Sequence, residues 1–195
     1  IVGCSFSTKK HTGIYVPVAH KVGENIENAL FLCFLKSFLT NKNIIKIAHN
    51  IAFESAVSCH QGIVIQPPVY DTICAAQMTL KSNYEFRKLA DSGLKKLASE
   101  LCHEPLPTFS EVTNGRHFDE LDAQDSETVR YGCADSDFAL RLYHIFNNWF
   151  DRFLPKHRYI VEQIESPTAV YLGIMKHNGV PVDVDLMKSR QQEAQ

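Results

Sequence analysis

Hydrophobic and polar positions divide the chain into alternating short and long periodic segments. Residues 1–7 and 13–19 are β-rich runs, and the polar stretch 8–12 between them ends at Gly13, which predicts a hairpin. Residues 24–39 carry Ile26, Leu30, Cys33, Phe34 and Phe38, a helical spacing with a wide apolar face. The polar run 40–43 stops that helix. Residues 44–48 are nearly all apolar, interrupted by Lys46, and predict a buried strand. A helix over 51–59 follows and breaks at Gln61-Gly62. Pro67-Pro68 confines the next strand to Val69-Tyr70, and Asp71 is placed to cap a helix over 72–80.

The second half reads as helical. Residues 93–102 set Leu94, Leu97, Ala98 and Leu101 on one side, and 105–115 reads as loop with Phe109 in its middle. Residues 125–150 form a long helical stretch that opens on Asp125, Ser126 and Glu127, acids where the helix dipole is positive. Pro155 interrupts. A last helix over 159–177 is bent or started at Pro167 and ends at Asn178-Gly179. Strand, strand, helix, strand, helix, strand and then mostly helix predicts an α/β fold with a helical C-terminal segment.

Composition narrows the function classes. A chain of 195 residues with 45% hydrophobic and 22% charged residues can bury a core of its own, which excludes disordered, collagenous and coiled-coil classes. No apolar run approaches the roughly 18 residues of a membrane span, so no membrane partner is expected. Net charge is −2, which argues against gripping long duplex by phosphate neutralisation alone. It leaves room for a protein that holds a short strand end through metal ions. Cys4, Cys33, Cys59, Cys74, Cys102 and Cys133 are widely spaced and predict reduced thiols in a reducing, cytoplasmic setting. Ile1 opens on an apparent mid-strand run without a start Met, and the chain reads as a piece of a longer one.

Three local patterns bear on chemistry. Asn50-Ile-Ala-Phe53-Glu54 leaves the end of a buried strand, where ligand sites in open α/β sheets lie; it also reads as a plain capped helix start. Tyr131-Gly-Cys-Ala-Asp135 puts a phenol and a carboxylate on one helix face, with small residues between them that allow close approach. The segment 164–183 is a helix ended by glycine before a short extended run.

In this order and spacing the three resemble the 3′→5′ exonuclease (proofreading) domain of family A DNA polymerases, the DNA polymerase I type. That domain is a DEDDy exonuclease of ribonuclease H-like fold, a mixed central sheet flanked by helices. Residues 1–6 and 14–20 look like the hairpin after the family's first motif, Asn50 to Glu54 like the second, and Tyr131 to Asp135 like the third. The segment 164–183 is similar to the opening of the polymerase region, so the resemblance implies an exonuclease domain over 1–153 and the start of a polymerase region over 154–195. The family's second motif usually ends in Asp, where this chain has Glu54. Its first motif, Asp-x-Glu on a strand, is expected just upstream of Ile1, and no acid precedes Glu24.

The resemblance implies hydrolysis of the 3′-terminal phosphodiester of DNA with two Mg²⁺ or Mn²⁺ ions about 4 Å apart. Such a pair needs roughly three or four carboxylates. Asp135 and Glu54 are the metal ligands this chain offers. Tyr131 orients the attacking water, Asn50 bonds the terminal nucleotide, and Leu94 and Phe109 meet the last bases; Leu94 and Phe109 read equally as core. Phe53 reads as core. Asp137 and Asp71 are poor substitute ligands, Asp137 because i and i+2 diverge on a helix, Asp71 because it reads as a cap. Lys81, Arg87, Lys88, Lys95 and Lys96 could track phosphates or form a solvated face. The expected partners are a single-stranded or frayed 3′ end of DNA and the polymerase domain of the same parent chain, in a nucleoid-associated setting. With its first motif missing, the piece alone is expected to cut slowly or not at all. A non-catalytic exonuclease-like scaffold and an RNA exonuclease of the ribonuclease D type are the competing readings.

Overall fold

A computed structural model of the chain describes residues 1–81 and 83–194. Strands β1 (Gly3–Phe6) and β2 (Ile14–Pro17) form an antiparallel hairpin in the register Gly3↔Pro17 to Phe6↔Ile14. Helix α1 (Asn28–Thr40) follows. Strand β3 (Lys46–Ala48) passes through helix α2 (Ile51–Cys59) to β4 (Val69–Asp71), and the two strands pair in parallel from Lys46↔Val69 to Ala48↔Asp71. The strand set is therefore mixed. Helices α3 (Thr72–Leu80), α4 (Leu94–Cys102), α5 (Phe109–Thr113) and the long α6 (Ser126–Phe153) come next. Then α7 (Pro155–Ile160), a π-helical turn (Val161–Glu165), α8 (Ser166–Asn178) and α9 (Val184–Glu193) complete the chain. Pro167 has no N–H to continue the ladder into the preceding turn, and the wide π turn lies directly before it.

The parallel pair separates two cores. Val69 faces Phe31, Leu35, Leu39 and Ile51, together with Val170 of α8. Its neighbour Tyr70 points the other way, into Leu97, Leu142, Phe146 and Phe150. This period-2 alternation, buried on both sides, is what a parallel strand between helical layers requires.

Three local expectations change. In α1 the buried stripe is Phe31, Leu35 and Leu39, whereas Leu30 and Phe34 are more exposed than not. The helix is apolar nearly all round, so periodicity did not choose its face; packing against Ile51, Val69 and Val170 chooses it, while Phe6 meets the neighbouring flank, edge-on to Phe34 and Phe38 at 5.4 and 5.5 Å. In the 44–48 run the polar residue is the buried one. Lys46 sends its Nζ back to the Asn41 carbonyl at 2.7 Å, while Ile44 and Ile45 face outward. The 105–115 loop contains α5, begun by a capping box in which Thr108 and Glu111 satisfy each other's backbone N–H. That Thr-x-x-Glu signal was present in the sequence.

Candidate active site

The site begins where β3 ends. Asn50 adopts a left-handed conformation with φ 76°, which turns the chain sharply out of the sheet and into α2. What fixes that turn is Asp71, at the end of β4 and only 2% exposed. Its Oδ1 accepts the N–H of Asn50 at 3.0 Å and of Ile73 at 2.9 Å, and its Oδ2 accepts the N–H of Ile51 at 2.9 Å. One carboxylate thus caps both α2 and α3. With its oxygens occupied by backbone, Asp71 is a buttress, in keeping with its reading as a cap. The Asn50 side chain makes no capping bond and is left for another partner.

One turn further along α2 stands Glu54. Crowding by protein atoms pushes its carboxyl up to about 8, against the pull of a backbone hydrogen bond, and the charges of Asp71 and Asp135 add to the rise. Glu54 also presents surface to solvent, and water screens part of this effect. The Cys4 thiol of β1 is raised to about 11, first by burial and then by Glu54, which puts this carboxylate beside the hairpin. Phe53 is 55% exposed and is not a core residue, because α2 turns its Ile51 and Ser55 side inward instead.

Helix α6 supplies the facing group. Asp125 caps its start by accepting N–H bonds from Glu127 and Thr128. Tyr131 and Asp135 follow one turn apart on one face. Burial raises the Asp135 carboxyl and Lys95 opposes the rise. Asp137, two residues on, is engaged elsewhere: it accepts the His11 N–H at 2.6 Å and pairs with Arg141 at 3.6 Å. Arg141 in turn binds both oxygens of Glu104 at 2.9 Å. The small residues between the site side chains serve close packing. A Cβ on Gly132 would collide with the Tyr15 ring, and one on Gly13 with Cys133, so the hairpin lies directly on α6. On the other side Gly173 of α8 abuts the Ala52 carbonyl and Ser55, holding α2 from behind.

Around Tyr131 is an aromatic group. Phe109, at the first turn of α5 and 50% exposed, lies 6.4 Å from Tyr131 and 6.3 Å from Phe118, and Phe118 is 5.8 Å from Tyr131. Leu94 is half-buried against the Tyr70 core. Two neighbours of Tyr131 escaped the sequence reading. Phe118 belongs to no motif. Lys95 was visible only as one of five basic residues, yet its Nζ lies 3.1 Å from the Tyr131 hydroxyl.

As a metal site the arrangement offers hard oxygen donors in Glu54 and Asp135, and the Asp135 charge adds to the cost of ionising Glu54, a cost that a bound cation would offset. That chemistry fits a divalent ion such as Mg²⁺, in part. Among the described residues no three His, Cys, Asp or Glu side chains converge on one point. A hollow of about 520 Å³ lined by Pro107, Glu111 and Asp125 includes neither carboxylate nor Tyr131. No helix of the described residues is long and apolar enough to cross a membrane.

A hairpin, a parallel strand pair and flanking helices make up a ribonuclease H-like exonuclease fold. The solved structures agree: Brucella melitensis NrnC bound to pGG superposes with a TM-score of 0.58 at 19% identity, over 89% of this chain and 76% of that one. The chain belongs to the 3′-5′ exonuclease family, whose sequence profile matches residues 1–151. It is similar to DNA polymerase I of Borreliella burgdorferi, 25% identical over 190 residues that make up 96% of this chain and 20% of that protein. It is similar also to DNA polymerase I of a Synechocystis strain, 24% identical over 98% of this chain and 19% of that protein. The chain therefore spans about a fifth of the curated relatives it matches.

Proposed function

We propose that the chain is the proofreading exonuclease domain of a DNA polymerase of the DNA polymerase I type, removing nucleoside monophosphates from the 3′ end of DNA. The observation that carries the reading is that Asp135, one turn beyond Tyr131, stands near enough to Glu54 for its charge to raise the Glu54 carboxyl, in a member of the 3′-5′ exonuclease family. Asp135 and Glu54 would hold Mg²⁺ or Mn²⁺, which would acidify a water and offset charge on the phosphate. Tyr131 orients the attacking water. Asn50, with its amide unclaimed by the helix cap, bonds the terminal nucleotide. Phe109 and Leu94 rest against the last bases, a stacking contact that accepts any sequence and favours a frayed single strand.

A two-ion site needs more carboxylates than these two. The outer edges of β1 and β3 lack a strand partner among the described residues, since β1 pairs with β2 and β3 with β4. This supports a further strand between them, carrying the Asp-x-Glu pair in the full-length protein. Residues 154–195 are then the opening of the polymerase region, and the setting is the cytoplasm around the nucleoid. The 195-residue chain alone hydrolyses little.

The test is a 5′-labelled oligonucleotide in DNA and RNA forms, incubated with the full-length protein and Mg²⁺. Stepwise shortening of single-stranded DNA from the 3′ end is expected, with RNA cut more slowly. Preferential cutting of RNA would overturn the DNA assignment in favour of an RNA exonuclease. A protein that shortens neither is a scaffold.

A further inference from the structure

The Lys95 ammonium occupies a position that neither the metal ligands nor the substrate contacts account for. It sits on the first turn of α4, 2.7 Å from the Pro107 carbonyl and 3.1 Å from the Tyr131 hydroxyl. It also lies 4.7 Å from the centroid of the Tyr131 ring. An ammonium has three N–H donors and no acceptor. At Tyr131 it is therefore the donor, and the phenol oxygen accepts. A lysine on a solvated surface would leave its head in water; here one N–H is fixed by a backbone carbonyl, which pins the chain end against α6. The charge reaches the catalytic face too, since Lys95 is what counters the burial of Asp135.

The consequence follows from counting hydrogens. The phenol has a single proton. With Lys95 donating into one lone pair, that proton must point away from α4. We propose that Lys95 is a positioning residue that acts through Tyr131: by occupying one lone pair of the phenol oxygen it aims the Tyr131 O–H at the attacking water. This rests on the exonuclease reading above and adds to it a residue outside the three acidic motifs. Lys95 itself touches neither water nor phosphate in this scheme. The Pro107 carbonyl matters because it keeps the ammonium from swinging toward Asp135, where it would compete with a cation.

The test uses the full-length protein with 3-fluorotyrosine in place of Tyr131 for ¹⁹F spectra, and the natural protein for kinetics on single-stranded DNA. Lys95→Met keeps the length of the side chain and removes the charge; Lys95→Arg restores a donor. The ¹⁹F resonance should move in Lys95→Met and return part of the way in Lys95→Arg. Rate constants should follow, with kcat down about 10- to 100-fold in Lys95→Met, the range for groups that orient a catalytic side chain. KM should stay within about twofold, and Lys95→Arg should recover part of kcat. In a Tyr131→Phe background Lys95→Met should cost nothing further. A full loss in that background, or a raised KM with kcat unchanged, overturns the proposal and makes Lys95 a phosphate contact. An unmoved ¹⁹F resonance overturns it directly, even if the protein cuts DNA. A moved resonance in a natural protein that cuts nothing overturns the exonuclease reading and takes the positioning role down with it.

Discussion

Asp71 shows what a single residue decides here. It is a carboxylate near Glu54, yet its oxygens are taken by three backbone N–H groups that start two helices. Asp71→Ala leaves those donors buried and should cost about 2–4 kcal/mol in chemical denaturation, whereas Asp71→Asn, which keeps an acceptor, should cost less. An equal loss for both would show that shape and not hydrogen bonding matters. Glu54 is the opposite case, a carboxylate that the fold burdens. Its folded value lies near 8, above the 4.5 of the free side chain. The folded state therefore holds the extra proton between those limits, and the stability this group contributes is full below about pH 4.5 and lost as pH rises through 8. Melting temperature without divalent ions should fall across that window, and Glu54→Gln should flatten the fall. Mg²⁺, which binds the ionised form, should lessen it as well. A slope unaffected by Glu54→Gln would assign it to other groups.

At the scale of elements, α2 is held between two neighbours, and the contact behind it is the tight one. Gly173 leaves no room for a side chain against the Ala52 carbonyl, and Ser55 Oγ donates to the Val170 carbonyl at 2.8 Å. Gly173→Val should destabilise by about 1–3 kcal/mol as an overpacked contact and shift Glu54 with its helix. Activity should then drop more than stability alone explains; unchanged activity at full folding would separate α8 from the site. The elements themselves were largely legible. The short strand at Val69-Tyr70, the Asp71 cap and the acidic start of α6 all follow from short-range rules that the structure obeys. The misreadings have physical causes. α1 is too uniformly apolar for periodicity to select a face, so its packing against Ile51, Val69 and Val170 does. Phe53 looked like core because its chemistry is apolar, but the turn at Asn50 rotates it outward. That Asn50 and Glu54 stand at the start of α2, and Tyr131 and Asp135 one turn apart on α6, was readable from spacing and resemblance; their roles belong to the proposal. Lys95 and Phe118 were not, because their roles come from long-range approaches of α4 and of residues 117–120 to α6 that no local pattern encodes.

At the scale of the whole molecule, the account rests on one acidic face completed outside the described strand pairs and served by a metal ion. If Glu54, Tyr131 and Asp135 act as a unit there, their losses are not additive. The direct measurement is the rate of 3′-end shortening of single-stranded DNA by the full-length protein with Mn²⁺, for Asp135→Ala, Glu54→Ala, Tyr131→Phe and the triple variant. Asp135→Ala should lower the rate at least about 100-fold, because charge stabilisation worth several kcal/mol goes with a metal ligand. The triple variant should be scarcely worse than Asp135→Ala. Natural-level cleavage by Asp135→Ala, or losses that multiply across the three positions, would contradict the single-site account.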